Sequence, residues 1–442
     1  MKIRICVCRI LGSLVAVATV EAAPLAATNV MTLASFEIPN PLTLSEARQI
    51  AFANNWDLLA ARSDVDLATA QHIIAREFPN PTLSLSSAKI DIDSHPGGTR
   101  AGNGVWERSY DTIVAVNQLL EIKGKRSNRQ AAAAAGRAGA RSRFLVAKRE
   151  LDLAVTKAYV AAVQAASNVQ ILRQSSQSLQ QEAQIAESRL AAGDISKSER
   201  IQIEIAAERF ELDARSADTT ATALRIALEN LLGSTHPRGD WVAVDTFETL
   251  IHSAGADDES TPHEPRPDLL AAEAGLEKAE ADLRLQRLLR IPDPTVQFLY
   301  EHEPPDQPNT IGLGLAFPLP LWNRNRGAIR SAEAARNQAG ATVGKIRAQI
   351  ASEIVSARVH YRDAAYRWRR YREEIQSRSE EVRKTVSFAY AKGGASLLDL
   401  LTAERNDNDV RLATAQAAAD TAIAQATLQS ALNRPGDEPD RK

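Results

Sequence analysis

The chain has 442 residues, 53 basic and 55 acidic side chains, and a formal net charge of −2. This near balance argues against nucleic acid and against an anionic lipid surface as partners. Aromatic residues make up 5% and charged residues 24% of a sequence that is visibly rich in alanine. Such a composition is typical of long, closely packed helices rather than of one thick globular core.

The N-terminus has the three parts of a secretory signal, which we assign to residues 1–26. Basic residues precede an apolar run from Ile10 to Val20, and a group of alanines follows it. The run is shorter than the ~20 residues that a membrane-spanning helix needs. Both cysteines, Cys6 and Cys8, lie in this segment. We therefore expect neither disulfides nor thiolate ligands in the mature chain.

One unit is written twice in the sequence. Residues 79–85 read Pro-Asn-Pro-Thr-Leu-Ser-Leu, and residues 292–298 read Pro-Asp-Pro-Thr-Val-Gln-Phe. Farther along, Ala-Gly-Asp-Ile-Ser at 192–196 corresponds to Lys-Gly-Gly-Ala-Ser at 392–396. The offset falls from 213 to 200, so the first copy carries 13 more residues between its two apolar segments. Insertions are best tolerated in loops, and a duplication constrains the whole fold.

The first copy spans residues 42–232. Its pattern predicts a helix at 44–78, with Ser45 as N-cap and Pro79 as the stop, strands at 82–92 and 109–119, and helices at 127–192 and 196–232. The 127–192 helix would be on the order of 100 Å long at ~1.5 Å per residue. Its apolar stripe has coiled-coil spacing and consists of Leu172, Leu179, Ala183, Ala186 and Leu190. Ser196 to Glu199 reads as a capping box for the next helix.

The second copy repeats this plan after a connector at 233–266, in which residues 241–247 can form one short strand. It spans 267–433, with a helix at 267–291, strands at 295–302 and 309–318, helices at 327–392 and 396–433, and a charged tail at 434–442. Ile375, Val382 and Ala389 recur every seven residues in its long helix. Each copy therefore contains a long helical hairpin that turns at glycine.

The segments between the helices alternate with a period of two. Residues 311–317 alternate large apolar side chains with the small set Gly312, Gly314 and Ala316, which we take as the inward face of a strand and as a sign of an open lumen. Each run has room for about 10 residues, the length of a tilted strand across a bilayer. Four strands cannot close a barrel, and open edges are not tolerated in hydrocarbon, so several chains must share one barrel. Two chains would give a filled eight-stranded barrel, whereas three would give twelve strands and a pore. The alternative is a soluble α+β protein with two hairpin sheets.

The duplicated units, the signal segment, the start Leu-Thr-Leu-Ser-Glu-Ala at 42–47 and the glycine-turned hairpins together resemble the TolC-type outer-membrane efflux factors. Residues 266–269 and 318–327 resemble the CzcC and CnrC branch of that family, which serves heavy-metal efflux. The resemblance implies an α+β membrane protein, mostly α, that forms a homotrimer. Its 12-stranded β-barrel would cross the outer membrane and continue into a periplasmic α-barrel.

The resemblance also implies partners and a transport role. A periplasmic membrane-fusion adaptor and an inner-membrane pump of the resistance-nodulation-division (RND) type would dock at the inner end, and outer-membrane lipid would surround the barrel. The expected function is passive export of divalent cations of the Co, Zn, Cd and Ni type, with no catalysis, no cofactor and no nucleic acid. The same fold exporting drugs or other small molecules is one rival. A periplasmic coiled-coil adaptor or structural protein is another, although an adaptor should have one hairpin rather than two.

The resemblance places the functional end at the hairpin tips. Tyr390, Gly393 and Asp399 resemble the gate segment of the family, and Gly193 with Asp194 forms the tip of the other hairpin. A ring of Asp399 carboxylates would attract cations and repel anions. The alternative is that Asp399 caps its own helix, and both glycines are foremost structural turns.

Candidates for the membrane–water interface flank the strands. The aromatic candidates are Trp106, Tyr110, Tyr300 and Trp322, and the basic candidates are Lys125, Arg126, Arg324 and Arg326. Ordinary packing is the alternative for the aromatic residues, and solvated helix starts are the alternative for the basic ones.

No motif predicts catalysis or a tight metal site. The seven histidines include no pair spaced for one helix face or one strand face. Asp91, Asp93 and His95 alternate, and residues 301–303 read Glu-His-Glu, but we take both groups as solvated loops. A conduit needs no tight ligands, because tight binding slows release.

Overall fold

The computed structural model describes residues 37–88, 111–252, 265–303 and 307–434. Its helices are α1 (Leu44–Asn54), α2 (Trp56–Arg76), α3 (Lys125–Ala192), α4 (Lys197–Leu231), α5 (Phe247–His252), α6 (Pro267–Leu288), α7 (Arg326–Arg370), α8 (Gln376–Ala391) and α9 (Leu397–Ala431), with a π-helical turn at Tyr371–Ile375. The strands are β1 (Thr82–Ala88), β2 (Asp111–Leu119), β3 (Thr295–Glu303) and β4 (Gln307–Ala316). In these ranges, no helix is both long enough and apolar enough to cross a membrane. The mostly helical α+β fold agrees with the predicted fold class.

The four strands form one antiparallel sheet in the order β1-β2-β3-β4. The two hairpins join because β2 of the first copy pairs with β3 of the second, with Val114 opposite Tyr300. The sequence alternative of two separate hairpin sheets is therefore wrong. β1 and β4 are the edge strands, and each has one side that no other strand among the described residues pairs with.

The first helix begins at Leu44, where it was predicted to begin, but its N-cap is a different residue. Thr43 is the N-cap instead of Ser45, because its hydroxyl accepts from the Glu46 backbone N–H at 3.2 Å. Glu46 Oε2 accepts in return from the Thr43 backbone N–H at 2.9 Å. This reciprocal pair is a capping box, and it satisfies two amide groups that the first turn would otherwise leave without partners.

The predicted helix at 44–78 is two helices, broken at Asn55. Asn55 has an extended backbone with ψ of 128°, and its Oδ1 caps α2 by accepting from the Leu58 N–H at 3.0 Å. Its Nδ2 donates to the Leu231 carbonyl oxygen at 2.9 Å, at the end of α4. The break therefore ties the entry helices to the end of the first hairpin. The second of the two helices ends at Arg76.

Helix α3 is the centre of the helical part. It packs against α2 and α6 toward the sheet, and against α4 and α9 toward the hairpin turn. Of the predicted stripe, Leu172, Leu179 and Ala186 are buried. Small residues such as Ala132 and Ala140 let the neighbouring helices approach in the half near the sheet.

The corresponding helix of the second copy lies at an edge and is interrupted. α7 packs against α6 and α9, and α8 packs mainly against α9. The predicted unbroken helix at 327–392 contains the π-helical turn, which inserts extra backbone into a helical turn. Ile375 and Val382 of the predicted stripe are exposed, so this stripe does not face the core of the chain. Tyr390, which does not belong to the stripe, is buried instead.

The connector has more structure than predicted. Instead of a strand at 241–247, it makes a single parallel bridge from Ala243 to Leu42 and then forms α5. Trp241 is buried and stacks on Tyr159 of α3, with the ring centroids 5.8 Å apart. The Tyr159 hydroxyl lies 2.9 Å from the Leu42 carbonyl oxygen and 2.8 Å from Asp245 Oδ2. Burial, followed by the hydrogen bond to Asp245, raises the pKa of Tyr159.

Candidate functional site

The sheet has one apolar face that the chain leaves exposed. Residues directly opposite each other in neighbouring strands point to the same face, so the register defines this set. It comprises Leu83, Leu85, Val114, Val116, Val296, Phe298, Tyr300, Ile311, Leu313 and Leu315. Ile311 is 89% exposed and Leu313 is 77% exposed. An apolar patch that spans all four strands and is open to solvent in the single chain marks a surface meant for lipid or a partner.

The opposite face of the sheet is polar and small. Asn117 Nδ2 donates to Ser84 Oγ at 3.3 Å on this face. Gly312 lies opposite Leu299, and Gly314 lies opposite Gln297. A Cβ atom at Gly312 would come within 3.0 Å of Leu299, and one at Gly314 within 2.8 Å of Gln297 Oε1. The glycines therefore make room for larger neighbours on this face. Whether the face lines an open lumen stays a prediction.

Carboxylates gather on this polar face at the end of the strands away from the helices. Oxygen atoms of Asp111, Glu301 and Glu303 lie within 4.8 Å of one another. The predicted solvated loop at 301–303 is the end of β3, and Asp111 and His302 are buried there. Asp91, Asp93 and His95 lie outside the described residues. The arrangement gives this end of the polar face a negative potential.

Exposed apolar residues also surround the junction between sheet and helices. After β4 the chain continues through Leu319, Leu321 and Trp322, and Trp322 is 92% exposed. Arg324 and Arg326 follow and are exposed as well. This segment, residues 317–326, combines apolar, aromatic and basic side chains at one end of the apolar face, as residues at a membrane–water interface do.

The equivalent basic residues of the first copy have structural partners. Lys125 is 3% exposed, and its ammonium group lies 2.8 Å from Asp293 Oδ1 and donates to the Ile291 carbonyl oxygen at 2.5 Å. This buried pair joins the two copies, so Lys125 is not a membrane anchor. Arg126 donates from Nε to the Arg76 carbonyl oxygen at 2.9 Å.

The aromatic candidates have mixed positions. Tyr300 is half-buried on the apolar face, where its hydroxyl donates to Asn309 Oδ1 at 2.5 Å. The exposed ring of Phe78, which the sequence reasoning missed, lies 3.8 Å beneath the guanidinium group of Arg126. Trp106 and Tyr110 lie outside the described residues.

At the far end, both hairpins turn through a glycine with a left-handed backbone. Gly193 has φ of +85° and Gly393 has φ of +75°. The Asp194 N–H donates to the Arg189 carbonyl oxygen at 2.9 Å, and the Gly394 N–H donates to the Ala389 carbonyl oxygen at 2.8 Å. These bonds satisfy carbonyl groups that the helix ends would otherwise leave without partners.

The two tips are held side by side by Arg189 and Tyr390. Tyr390 is 2% exposed and packs with Leu179, Ile203 and Leu400, so both hairpins contribute to one apolar cluster. Arg189 Nη1 donates to the Tyr390 carbonyl oxygen at 2.7 Å, and its guanidinium carbon lies 5.0 Å from the centroid of that ring. Burial raises the pKa of Tyr390. Tyr390 therefore stabilises the contact between the hairpins, and the sequence pattern gave no signal for Arg189.

Asp399 caps the helix that follows the second tip. Its Oδ2 accepts from Ser396 Oγ at 2.7 Å and from the Ser396 backbone N–H at 3.0 Å. These bonds, the side-chain bond first, hold the pKa of Asp399 below its usual value of 3.8. The capping alternative is thus the arrangement in the structure. In the first copy the box is incomplete, because Ser196 accepts from the Glu199 N–H but no return bond forms among the described contacts.

Above the tips, charged side chains are buried between the hairpins. Arg383 of α8 lies 3.3 Å from Glu404 and 3.2 Å from Asp407, and Arg411 lies 2.8 Å from Asp407. Ser178 of α3 donates to Glu404 at 3.3 Å. Burial raises the pKa of Glu404, whereas Arg383 and Ser178 act in the opposite direction. This cluster was not predicted from the sequence, and the polar residues spaced along the alanine-rich face of α9 are the signal that could have indicated it.

Comparisons with known proteins match nearly the whole chain. The family model described as outer membrane efflux protein matches residues 47–234 and 263–434. A relative from Cupriavidus metallidurans, named cobalt-zinc-cadmium resistance protein CzcC, is 24% identical over 90% of this chain and 91% of its own.

Solved structures have the same fold. The structure of CusC, a protein that undergoes conformational changes accompanying its folding and transmembrane channel formation, superposes with a TM-score of 0.74 at 17% identity. The match covers 91% of this chain and 96% of CusC. The outer membrane protein VceC from Vibrio cholerae has a TM-score of 0.70 at 18% identity, covering 89% of this chain and 97% of its own.

Proposed function

We propose that this chain, which belongs to the outer membrane efflux protein family, is the passive conduit of a tripartite system that exports divalent heavy-metal cations. The chain is an efflux channel of the outer membrane and not an enzyme, as the sequence resemblance predicted. The proposal adds the cargo, the number of subunits and the partners to this family assignment.

The observation that carries the proposal is the sheet with two unlike faces and two open edges. Its apolar face suits lipid, and its polar face suits an aqueous lumen. The free edges of β1 and β4 must find partners in hydrocarbon, and other copies of the chain can supply them. Three copies would give a barrel of twelve strands, wide enough for a pore. α3 would extend the conduit on the order of 100 Å into the periplasm at ~1.5 Å per residue.

The metal cargo is supported by similarity and by charge. The chain resembles a protein named for cobalt, zinc and cadmium resistance along most of its length. The carboxylates of Asp111, Glu301 and Glu303 lie on the polar face and favour cations over anions at one end of the lumen. The conduit supplies no energy, so an inner-membrane RND pump would drive transport through a periplasmic adaptor.

The sheet end and the hairpin-tip end of the molecule then each have a role. The segment 317–326 with Trp322, Arg324 and Arg326 would sit at the inner membrane–water interface, and Tyr300 toward the outer one. Trp106 and Tyr110 stay predicted interface residues. The tips around Gly193, Asp194, Tyr390 and Gly393 would face the adaptor and the inner aperture.

Tolerance measurements test the cargo. A strain that lacks this chain should become sensitive to zinc, cobalt, cadmium and nickel, and a plasmid copy should restore tolerance. Drug tolerance should change little. Unchanged metal tolerance together with sensitivity to drugs would assign the conduit to the rival cargo.

A pair of substitutions tests the two faces of the sheet. Leu313→Arg places a charge on the apolar face, which costs about 2–4 kcal/mol near the middle of a bilayer. We expect the variant to be lost from the outer-membrane fraction and to fail to restore tolerance. Gln297→Arg on the polar face is the matched control and should assemble. Equal recovery of both variants would contradict the assignment of the faces.

A further inference from the structure

The outermost helices of the two hairpins each leave one face uncovered. Near the tips the helices lie in the order α4-α3-α9-α8, because α4 packs on α3, α3 packs on α9 and α9 packs on α8. On α4, the face turned away from α3 contains Ile205, Glu208 and Leu212, all exposed. On α8, one side of the helix is not covered by α9, and this exposed side begins at Ile375, the last residue of the π-helical turn.

The flank of α8 has the same composition. Ile375, Arg378 and Val382 are exposed along it. Both faces read apolar, charged, apolar with spacings of three and four residues, so each forms one stripe along its helix. The central charges are opposite in sign. Over the described ranges, neither Glu208 nor Arg378 has an ion-pair or hydrogen-bond partner.

The two stripes also lie at matching heights. Arg189 binds the Tyr390 carbonyl oxygen, so the glycine turns at Gly193 and Gly393 are level with each other. Glu208 lies 15 residues after the first glycine, and Arg378 lies 15 residues before the second.

The apolar residues follow the same rule. Ile205 and Val382 lie 12 and 11 residues from their turns, and Leu212 and Ile375 lie 19 and 18 residues from theirs. At ~1.5 Å per residue, each pair agrees in height to within about 1.5 Å. A rotation about an axis parallel to the hairpins preserves height, so the two stripes would meet residue by residue.

We infer that the stripe Ile205-Glu208-Leu212 of one copy binds the stripe Ile375-Arg378-Val382 of the next copy, with Glu208 paired to Arg378. The two stripes differ, so the contact is head-to-tail and repeats around a closed ring. Apolar residues on either side would shield the ion pair from water and strengthen it. The inference rests on the proposed function, because it names the partner surface of the assembled conduit.

Cross-linking between cysteines tests the contact directly. The only cysteines of the sequence, Cys6 and Cys8, lie in the expected signal segment, so introduced thiols report alone. The variant Glu208→Cys/Arg378→Cys, purified from the outer membrane and treated with a short bismaleimide, should give bands of two and three subunits. Either single substitution should leave the subunit band unchanged. The matched control is Glu208→Cys/Glu380→Cys, because Glu380 lies two residues from Arg378 on the other side of α8.

A charge exchange supplies an independent reading. Glu208→Arg and Arg378→Glu should each lower the temperature at which the oligomer dissociates in detergent, and the double exchange should restore it. An intact oligomer with no more cross-linking than the control, or with cross-links only inside one subunit, would overturn this contact and leave the proposed conduit standing. A wild-type protein that is monomeric in detergent would overturn the proposed conduit itself.

Discussion

The long helices of the two copies come from one repeated unit but occupy different surroundings. α3 has neighbouring helices along its whole length and is uninterrupted over 68 residues. α7 and α8 lie at an edge, are separated by a π-helical turn and expose Val355, Val359 and Val382. The difference teaches that the repeated sequence determines which helices and strands form. The position of a helix, between other helices or at the edge, determines which of its apolar residues are buried within the single chain.

The largest effect should separate an interior position from an edge position. Leu179→Ala in α3 removes a fully buried side chain from the tip cluster and should lower the free energy of unfolding by about 2–5 kcal/mol. Val382→Ala in α8 should leave the unfolding of the subunit within about 0.5 kcal/mol, because that side chain is exposed in the single chain. Its effect should appear in the association of subunits. Urea unfolding followed by circular dichroism measures the free energy of unfolding of both variants. Equal losses in the two variants would contradict the difference between an interior and an edge position.

The contact between the hairpins should be the next most sensitive. Arg189→Ala removes a charge-assisted hydrogen bond of 2.7 Å to the Tyr390 carbonyl oxygen, worth about 1.5 kcal/mol for this half-buried side chain. We expect looser tips and a higher single-channel conductance in planar bilayers. Arg200→Ala is the control, because Arg200 pairs with Glu187 and Glu204 inside the first hairpin. A conductance raised equally by both variants would argue against a specific role of Arg189.

The two turns should respond alike. Gly193→Ala and Gly393→Ala each force a side chain into a left-handed backbone, at a cost of about 1–2 kcal/mol. No neighbouring atom crowds Gly193, so the cost there is purely conformational. Unfolding midpoints that differ widely between the two variants would show that the tips are not equivalent.

The smallest difference should lie in the caps. Ser396→Ala breaks a complete capping box and should cost about 1 kcal/mol, whereas Ser196→Ala should cost about 0.5 kcal/mol. The pKa of Asp399 is lowered in the folded state, so its contribution is full above pH 3.8 and is lost as the pH falls through the folded value. The difference between the two variants should therefore shrink on acidification. If the difference in unfolding midpoint between Ser396→Ala and Ser196→Ala stayed the same at low pH, the capping role of Asp399 would be contradicted.

Local signals in the sequence were sufficient for the repeat plan. Glycine turns, period-two strands and proline stops predicted two hairpins and four strands, because each signal depends on neighbouring residues alone. The break at Asn55 depends on a bond to Leu231, which is distant in sequence. The burial of Lys125 likewise depends on Asp293 of the other copy. The stripe at Ile375 and Val382 was found by its period, but periodicity does not tell a core from a contact between subunits.

The candidate site was less accessible to sequence reasoning. Asp399 was correctly considered as a cap, because serine three residues earlier is a local signal. Arg189 was missed, since an arginine near a helix end looks like an ordinary surface residue until the second hairpin is placed beside it. The roles of the tips and of the interface residues stay predictions.

The free edges of β1 and β4 have a genetic consequence. In the proposed ring of subunits, a subunit with a sound helical hairpin and a damaged edge strand would still enter the ring through its helices. It would then leave the shared sheet open at one seam. One defective copy would disable its sound neighbours, so such alleles should be dominant when both forms are made in the same cell. Alleles that abolish folding altogether should be recessive, because those chains never reach the ring.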